Sequence, residues 1–354
     1  MDAGNRISAS SSSLISSFKS FDLLANSPPK FSLSSDQLQR CSRALKFFKD
    51  KLQSPEIISR EFRCLQMQDK RIRPSDMEKM CLVALDQVNL SKNRYRDVIP
   101  FDINRVVLKL SKDHRPSVGG YINASFVQTP SLANASRFIA TQGPLPHTFE
   151  DFWEMVIQNR CPVIVMLTRL VDNYRVLQLV EYKLVKCGDY FPAEVGGWRE
   201  FGGICVTTKW MKTTTSSLEL RYLEVSKAES EEPPLLVLHI QYPEWPDNGV
   251  PRDTSAVREI FKQTCHMSPN LGPLLVHCSA GIGRTGTYCT IHDALQRILA
   301  GDMSALDLVN TVSVFRFQRV GMVQTKDQYL FIHSAVVDEL EDLISYSNAG
   351  GRSS

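Results

Sequence analysis

The residues best equipped for chemistry lie between His277 and Gly286. Cys278 and Arg284 frame a stretch of Ser279, Ala280, Gly281, Ile282 and Gly283, and Thr285 and Gly286 follow. The apolar run Leu274, Leu275, Val276 precedes it, and Tyr288, Ile291, Leu295, Ile298 and Leu299 recur at helical spacing after it. The pattern is a strand, a glycine-rich loop and a helix. Backbone N–H groups of such a loop, together with the helix N-terminus, can converge on a phosphate, and glycines let the chain curl closely round the anion. A thiol set among those donors ionises easily and becomes a nucleophile. A guanidinium can grip two phosphate oxygens with its planar fork. Cys278 and Arg284 would then address one phosphorus atom.

Two other anion-binding loops share part of this pattern. GIGRTG matches the dinucleotide fingerprint GxGxxG, with Asp302 and Asp307 further on. That reading needs a strand after the helix, whereas the chain continues with a second helical pattern. Gly281 and Gly286 also have the spacing of a nucleotide P-loop, but Thr287 stands where the phosphate-binding lysine belongs. Neither reading uses Cys278.

VHCSAGIGRTG is similar to the signature loop HCxxGxxR[ST]G of the classical, tyrosine-specific protein phosphatases, and the resemblance runs from about Leu38 to Leu343. It implies a phosphotyrosine hydrolase that works through a phosphocysteine intermediate, without metal or cofactor. YPEWPDNGVP, residues 242–251, resembles the family's mobile acid loop, which makes Asp247 the general acid of the first step and the base of the second. Asn248 departs from the aromatic or histidine usual there. KNRYRDVIPFD, residues 92–102, resembles the phosphotyrosine-recognition loop: Tyr95 would stack on the substrate ring, Asp97 would hold the peptide backbone and Arg96 would face its flank. QTKDQY, residues 324–329, resembles the loop that positions the hydrolytic water through Gln324 and Gln328. Thr285 matches the hydroxyl that bonds the leaving thiolate, Gly321 would keep the pocket mouth open, and Lys186 matches a lysine near the site. YINAS (121–125) and TQGPLPHTFEDFWEMV (141–156) resemble framework segments. His277 is expected to orient its neighbour rather than shuttle protons. Between Thr168 and Lys186 the chain is longer than the family pattern by roughly eight residues, an insertion whose closure entropy grows only slowly. Asp172 or Glu181 in that stretch would pair with Arg284.

The elements that must position these residues are legible in outline. Helices are expected from Ser34–Asp36 to Leu52, from Pro55 to Leu65, and over 147–158, 254–266, 287–300, 304–316 and 325–345. Strands are expected at 106–110, 121–127, 137–141, 162–168, 185–191, 204–211, 218–225 and 235–241. The fold class is α/β: a single catalytic domain over 35–345, a twisted mixed β-sheet flanked by helices, with tails at 1–34 and 346–354.

Bulk properties agree. Hydrophobic residues make up 43% of 354, enough for a large core, and a net charge of +3 does not mark a nucleic-acid binder. Nine scattered cysteines without a CxxC pair argue against a zinc site or a disulfide framework. The serine-rich start lacks an apolar signal core, and no apolar run reaches ~18 residues. The expected protein is a monomer of the cytoplasm and nucleus, its low-pKa thiol open to reversible oxidation. Its expected partners are phosphotyrosine proteins, signalling kinases such as MAP kinases among them.

Overall fold

A computed structural model describes residues 33–69, 74–109, 120–130, 137–176, 180–228 and 230–350, with only the backbone of 69, 74, 173–176, 180–183, 269 and 348–350. The expected N-terminal tail lies outside these residues except for Leu33 and Ser34. Ser34 caps helix α1 (Ser35–Leu52) through a capping box with Gln37. Helix α2 (Pro55–Asp69) follows, with proline at its first position, where the missing N–H costs nothing. Three short helices, α3 (Pro74–Met80), α4 (Leu82–Leu85) and α5 (Gln87–Leu90), lead to the 92–102 segment.

A nine-stranded sheet forms the centre. Its first strands are β1 (Arg105–Val107), β2 (Tyr121–Val127), β3 (Phe138–Thr141) and β4 (Val163–Met166). Helix α6 (Phe149–Gln158) joins β3 to β4. Strands β5 (Val171–Val176) and β6 (Val180–Val185) pair only with each other. The sheet continues with β7 (Trp198–Phe201), β8 (Ile204–Thr213), β9 (Glu219–Lys227), β10 (Leu235–Gln241) and β11 (Leu274–His277). Their spatial order is β1-β2-β3-β11-β4-β10-β9-β8-β7.

Strands β3, β11, β4 and β10 are mutually parallel, and the flanking pairs are antiparallel. Strands buried on both faces read as near-continuous apolar runs, and FIAT, VIVM and LLVH are buried at every position. On β4, Val163 and Val165 face one core, and Ile164 and Met166 face the other. Helices α7 (Ser255–Thr264), α8 (Gly283–Ala300), α9 (Leu308–Gln318) and α10 (Lys326–Gly350) join α1 and α2 over the first core. Helix α6 and the curled β7–β9 cover the second. This is the expected mixed α/β architecture in one domain. No helix among the described residues is long and apolar enough to cross a membrane.

Four expectations about elements need correction. Residues 185–191 are not a strand: β6 ends at Val185 and a loop follows. The loop's backbone is satisfied elsewhere. Gly188 N–H donates to Pro144 O at 2.8 Å, and Tyr190 O accepts from the Trp153 indole at 2.9 Å. Helix α8 begins four residues early, at Gly283. The expected 304–316 helix is a 3-10 turn (Met303–Leu306) and then α9, because the Asp307 carboxylate caps Asn310 N–H at 2.9 Å. The expected C-terminal tail is helical as far as Gly350.

Candidate active site

Parallel strands end on the same edge, and four carboxyl ends meet here. Beyond β11 lies Cys278, and beyond β3 lie Gln142 and Gly143. Past β4 comes Thr168, and past β10 the 242–251 loop. The glycine-rich loop then runs straight into α8, whose N-terminus faces the same point.

The orientation of the loop amides follows from where their carbonyls go. Cys278 O lies 3.2 Å from His277 Nδ1, and Ser279 O accepts Gly143 N–H at 2.9 Å. Ala280 O and Gly281 O accept from the guanidinium of Arg319, at 3.0 and 2.8 Å. Four successive carbonyls are thus tied outward. In a trans peptide the N–H points opposite to the C=O, so the N–H groups of Ser279, Ala280, Gly281 and Ile282 turn inward. One of them is seen to do so: Gly281 N–H donates to Cys278 Sγ at 3.3 Å. Gly281 must be glycine. It sits at φ +74°, and a Cβ would meet Thr141 O at 2.0 Å.

Cys278 is buried, which by itself raises a thiol pKa. Burial is the largest single influence, yet the Arg284 charge, the Thr285 hydroxyl and amide and the Gly281 amide together outweigh it, and the net shift is downward. The Thr285 hydroxyl is buried with no hydrogen-bond partner among the described residues. The other fully buried cysteines, such as Cys161 and Cys187, are pushed upward by the same burial because no comparable donors surround them.

Arg284 is buried and spread over three partners. It donates to Thr168 Oγ1 at 3.2 Å, Trp245 O at 3.1 Å and Asp247 Oδ1 at 2.9 Å. Asp247 also pairs with Lys186 through its other oxygen. The lid is therefore drawn in over the loop. Trp245 anchors it: its ring packs on Phe331 at 5.7 Å, and its indole N–H donates to Gly249 O at 3.0 Å. The acidic partner expected for Arg284 was Asp172 or Glu181. Asp247 takes that place, because lid closure brings its carboxylate within reach. Asp172 sits on β5 opposite Leu184, and the Glu181 side chain lies outside the described residues.

The other expected residues gather round the same point. Tyr95 OH shares a 2.9 Å hydrogen bond with Ser279 Oγ, placing its ring at the loop's rim, with Arg96 and Asp97 exposed beside it. A Cβ on Gly283 would meet Gln324 Oε1 at 2.3 Å, so that amide lies against the loop. Gln328 holds Gln324 N–H through its Oε1 at 2.9 Å and reaches Gly249 O in the lid at 3.4 Å. Gly321 stands against Ile282, where a Cβ would come within 3.2 Å of Cδ1. The long 168–186 segment folds as the β5–β6 hairpin and delivers Lys186 to the site.

Sequence reasoning missed three supports. Arg319, fully buried, braces the loop and also bonds Asn123 Oδ1 at 2.8 Å and Ser125 Oγ at 3.2 Å. Arg94 ties the recognition segment to Gly143 O, Pro144 O and Val185 O at 2.9–3.2 Å. Tyr190 OH bonds His277 Nε2 at 2.7 Å and His239 Nε2 at 2.9 Å. The motifs YINAS, KNRYRDVIPFD and TQGPLPHTFEDFWEMV carry Asn123, Ser125, Arg94, Gly143 and Pro144, but their spacing did not show these contacts.

A buried thiol of lowered pKa among inward-facing amides, with an arginine and a carboxylate above it, defines a cysteine-dependent phosphatase site. The chain belongs to the protein-tyrosine phosphatase family: residues 89–338 match the family described as protein-tyrosine phosphatase. It is 59% identical over 344 residues, 97% of both chains, to protein-tyrosine-phosphatase PTP1 of Arabidopsis thaliana. It is 37% identical over 257 residues to tyrosine-protein phosphatase non-receptor type 20 of Mus musculus, covering 73% of this chain and 55% of that one. With receptor-type tyrosine-protein phosphatase C of Homo sapiens the identity is 36% over 251 residues, 71% of this chain and 18% of that one. The chain is accordingly a phosphotyrosine hydrolase.

Proposed function

We propose that hydrolysis runs in two steps on the residues described above. Cys278 attacks phosphorus while the inward amides of residues 279–282 and the Arg284 fork hold the oxygens. Asp247 then leaves Arg284 and gives its proton to the departing tyrosine oxygen. Thr285 hydrogen-bonds the sulfur as it becomes the leaving group. Gln324, steadied by Gln328, positions a water that Asp247 deprotonates, and inorganic phosphate is released. Tyr95 selects for tyrosine, because a phosphoserine is too short to reach Cys278 from that rim. Asp97 and Arg96 hold the peptide on either side, and Lys186 steers Asp247.

The observation that carries this reading is convergence. The lowered Cys278 pKa, the four outward-tied carbonyls and the Arg284–Asp247 contact all address one point. Cys278→Ser is expected to abolish turnover of an aryl phosphate while retaining phosphotyrosine binding, and Asp247→Ala to trap substrates. Full activity in the Cys278 variant would end the proposal.

The same reading extends to physiology. The substrates are signalling proteins, kinases carrying an activation-loop phosphotyrosine such as MAP kinases among them. The enzyme works as a monomer in the cytoplasm, with access to the nucleus. Peroxide converts the Cys278 thiolate to a sulfenic acid, and attack by the neighbouring backbone nitrogen then expels water to give a sulfenamide that thiols reduce. Substrate trapping with Asp247→Ala identifies the partners, and recovery with a thiol after peroxide treatment tests the redox step.

A further inference from the structure

His239 lies on β10 and is fully buried. Its neighbours across the sheet are Ile164 of β4 and Arg221 of β9. The Phe191 ring packs against it at 4.5 Å. Its Nε2 meets Tyr190 OH, which also meets His277 Nε2.

The direction of these hydrogen bonds follows from two separate observations. His277 Nδ1 faces Cys278 O at 3.2 Å, and a carbonyl can only accept, so Nδ1 carries the proton and Nε2 of the neutral ring is an acceptor. Tyr190 therefore donates its single proton to His277. Its oxygen is left to accept, and His239 must supply an Nε2–H. Independently, His239 Nδ1 has no partner. An orphaned lone pair is tolerated in a core more readily than an orphaned N–H, which again places the His239 proton on Nε2. Both histidines are held neutral: burial pushes His277 down to about 4 and His239 well below its ordinary value, with Arg221 and His277 adding to the effect at His239.

The result is an ordered relay: His239 N–H to Tyr190 O–H to His277, and His277 N–H to Cys278 C=O. Each accepted hydrogen bond makes the next donor stronger, by roughly 10–30% per bond. The last acceptor belongs to the peptide whose N–H is that of Ser279, one of the four turned toward the thiol and phosphate. Withdrawing electrons at its oxygen sharpens that N–H as a donor.

We propose that His239 is a positioning residue for the nucleophile, acting through Tyr190 and His277 on the Cys278–Ser279 peptide. The proposal rests on Cys278 being the nucleophile. Other groups facing the thiol are Arg284, Arg319, Cys187 and Cys289. None of them changes in the test.

The test reads the Cys278 thiol from the pH dependence of iodoacetate alkylation and of kcat/KM for an aryl phosphate. His239→Leu removes the donor and is expected to raise the thiol pKa by about half a unit, which lowers thiolate reactivity about threefold below that pKa. His239→Gln keeps an N–H at the same reach and is expected to return most of the shift. Tyr190→Phe removes the link, so His239→Leu should add no further shift in that background. A space-filling role would alter stability but leave the thiol pKa unmoved. The relay is overturned if His239→Leu leaves the thiol unchanged, if the glutamine variant behaves like leucine, or if the two losses add. An ordinary thiol in the unmodified protein would instead remove the nucleophile itself, and the relay with it.

Discussion

Asn248 of the 242–251 loop is best tested through its backbone. It is one of four non-glycine residues at positive φ among the described residues, at +56°, and its side chain is exposed. Asparagine tolerates this left-handed conformation because its short amide bonds locally, whereas a β-branched residue pays heavily. The conformation has a job: it turns the chain between Pro246 and Gly249 so that Gly249 O meets the Trp245 indole N–H at 3.0 Å and Gln328 Nε2 at 3.4 Å. Asn248→Val should cost the closed lid about 2 kcal/mol, which is about thirtyfold in its population. Asn248→Gly keeps the conformation open to the chain and should cost no more than about 0.5 kcal/mol, roughly twofold. Steady-state kcat on a phosphotyrosine peptide reads the difference. Equal kcat for valine and glycine would refute the reasoning. So would a valine defect explained by a lower melting temperature, because the strain would then lie in the fold and not in closure.

Two further outcomes follow from the charges. Arg284→Ala removes the largest influence that lowers the Cys278 pKa, so the pH midpoint of iodoacetate alkylation should move up toward that of an ordinary thiol, 9.0; an unmoved midpoint would assign the effect to the amides alone. Glu339 on α10 is fully buried beside Lys262 (3.2 Å) and Arg258 (3.8 Å) of α7, and burial, only partly offset by Lys262, raises its pKa from 4.5 to about 7. The folded state then holds a proton that the unfolded chain has lost, so stability declines as pH rises from 4.5 to about 7, by up to about 3 kcal/mol. Urea unfolding of Glu339→Gln should lack that decline, and a difference from wild type that is the same at low and high pH would count against it.

The candidate site was legible because the chemistry of Cys278 and Arg284 needs particular residue types at short spacing, and because the resemblance pointed to the segments carrying the rest. Cys278 and Arg284 stand within one loop, Asp247 within one turn, and Gln324 and Gln328 on one helical start. What holds them was not legible, because it is made of contacts between distant parts of the chain. Arg319 is 38 residues from Gly281, and Tyr190 is 87 from His277. Neither spacing carries a periodic signal, and a buried arginine or tyrosine looks in sequence like a surface one. The error over 185–191 has the same origin: its backbone is satisfied by Pro144 of the β3–α6 connection and by Trp153 of α6, both distant in sequence.

The 168–186 segment follows the same division. Among the described residues, β5 and β6 pair with each other over six residue pairs without entering the main sheet. Both ends of the hairpin stay fixed by contacts that ignore its length. Thr168 is held by Arg284, Lys186 N–H donates to Leu170 O at 2.8 Å, and Lys186 Nζ meets Asp247. Arg94 ties Val185 O to the recognition segment at 3.2 Å. These contacts hold Lys186 beside Asp247 at the base of the hairpin.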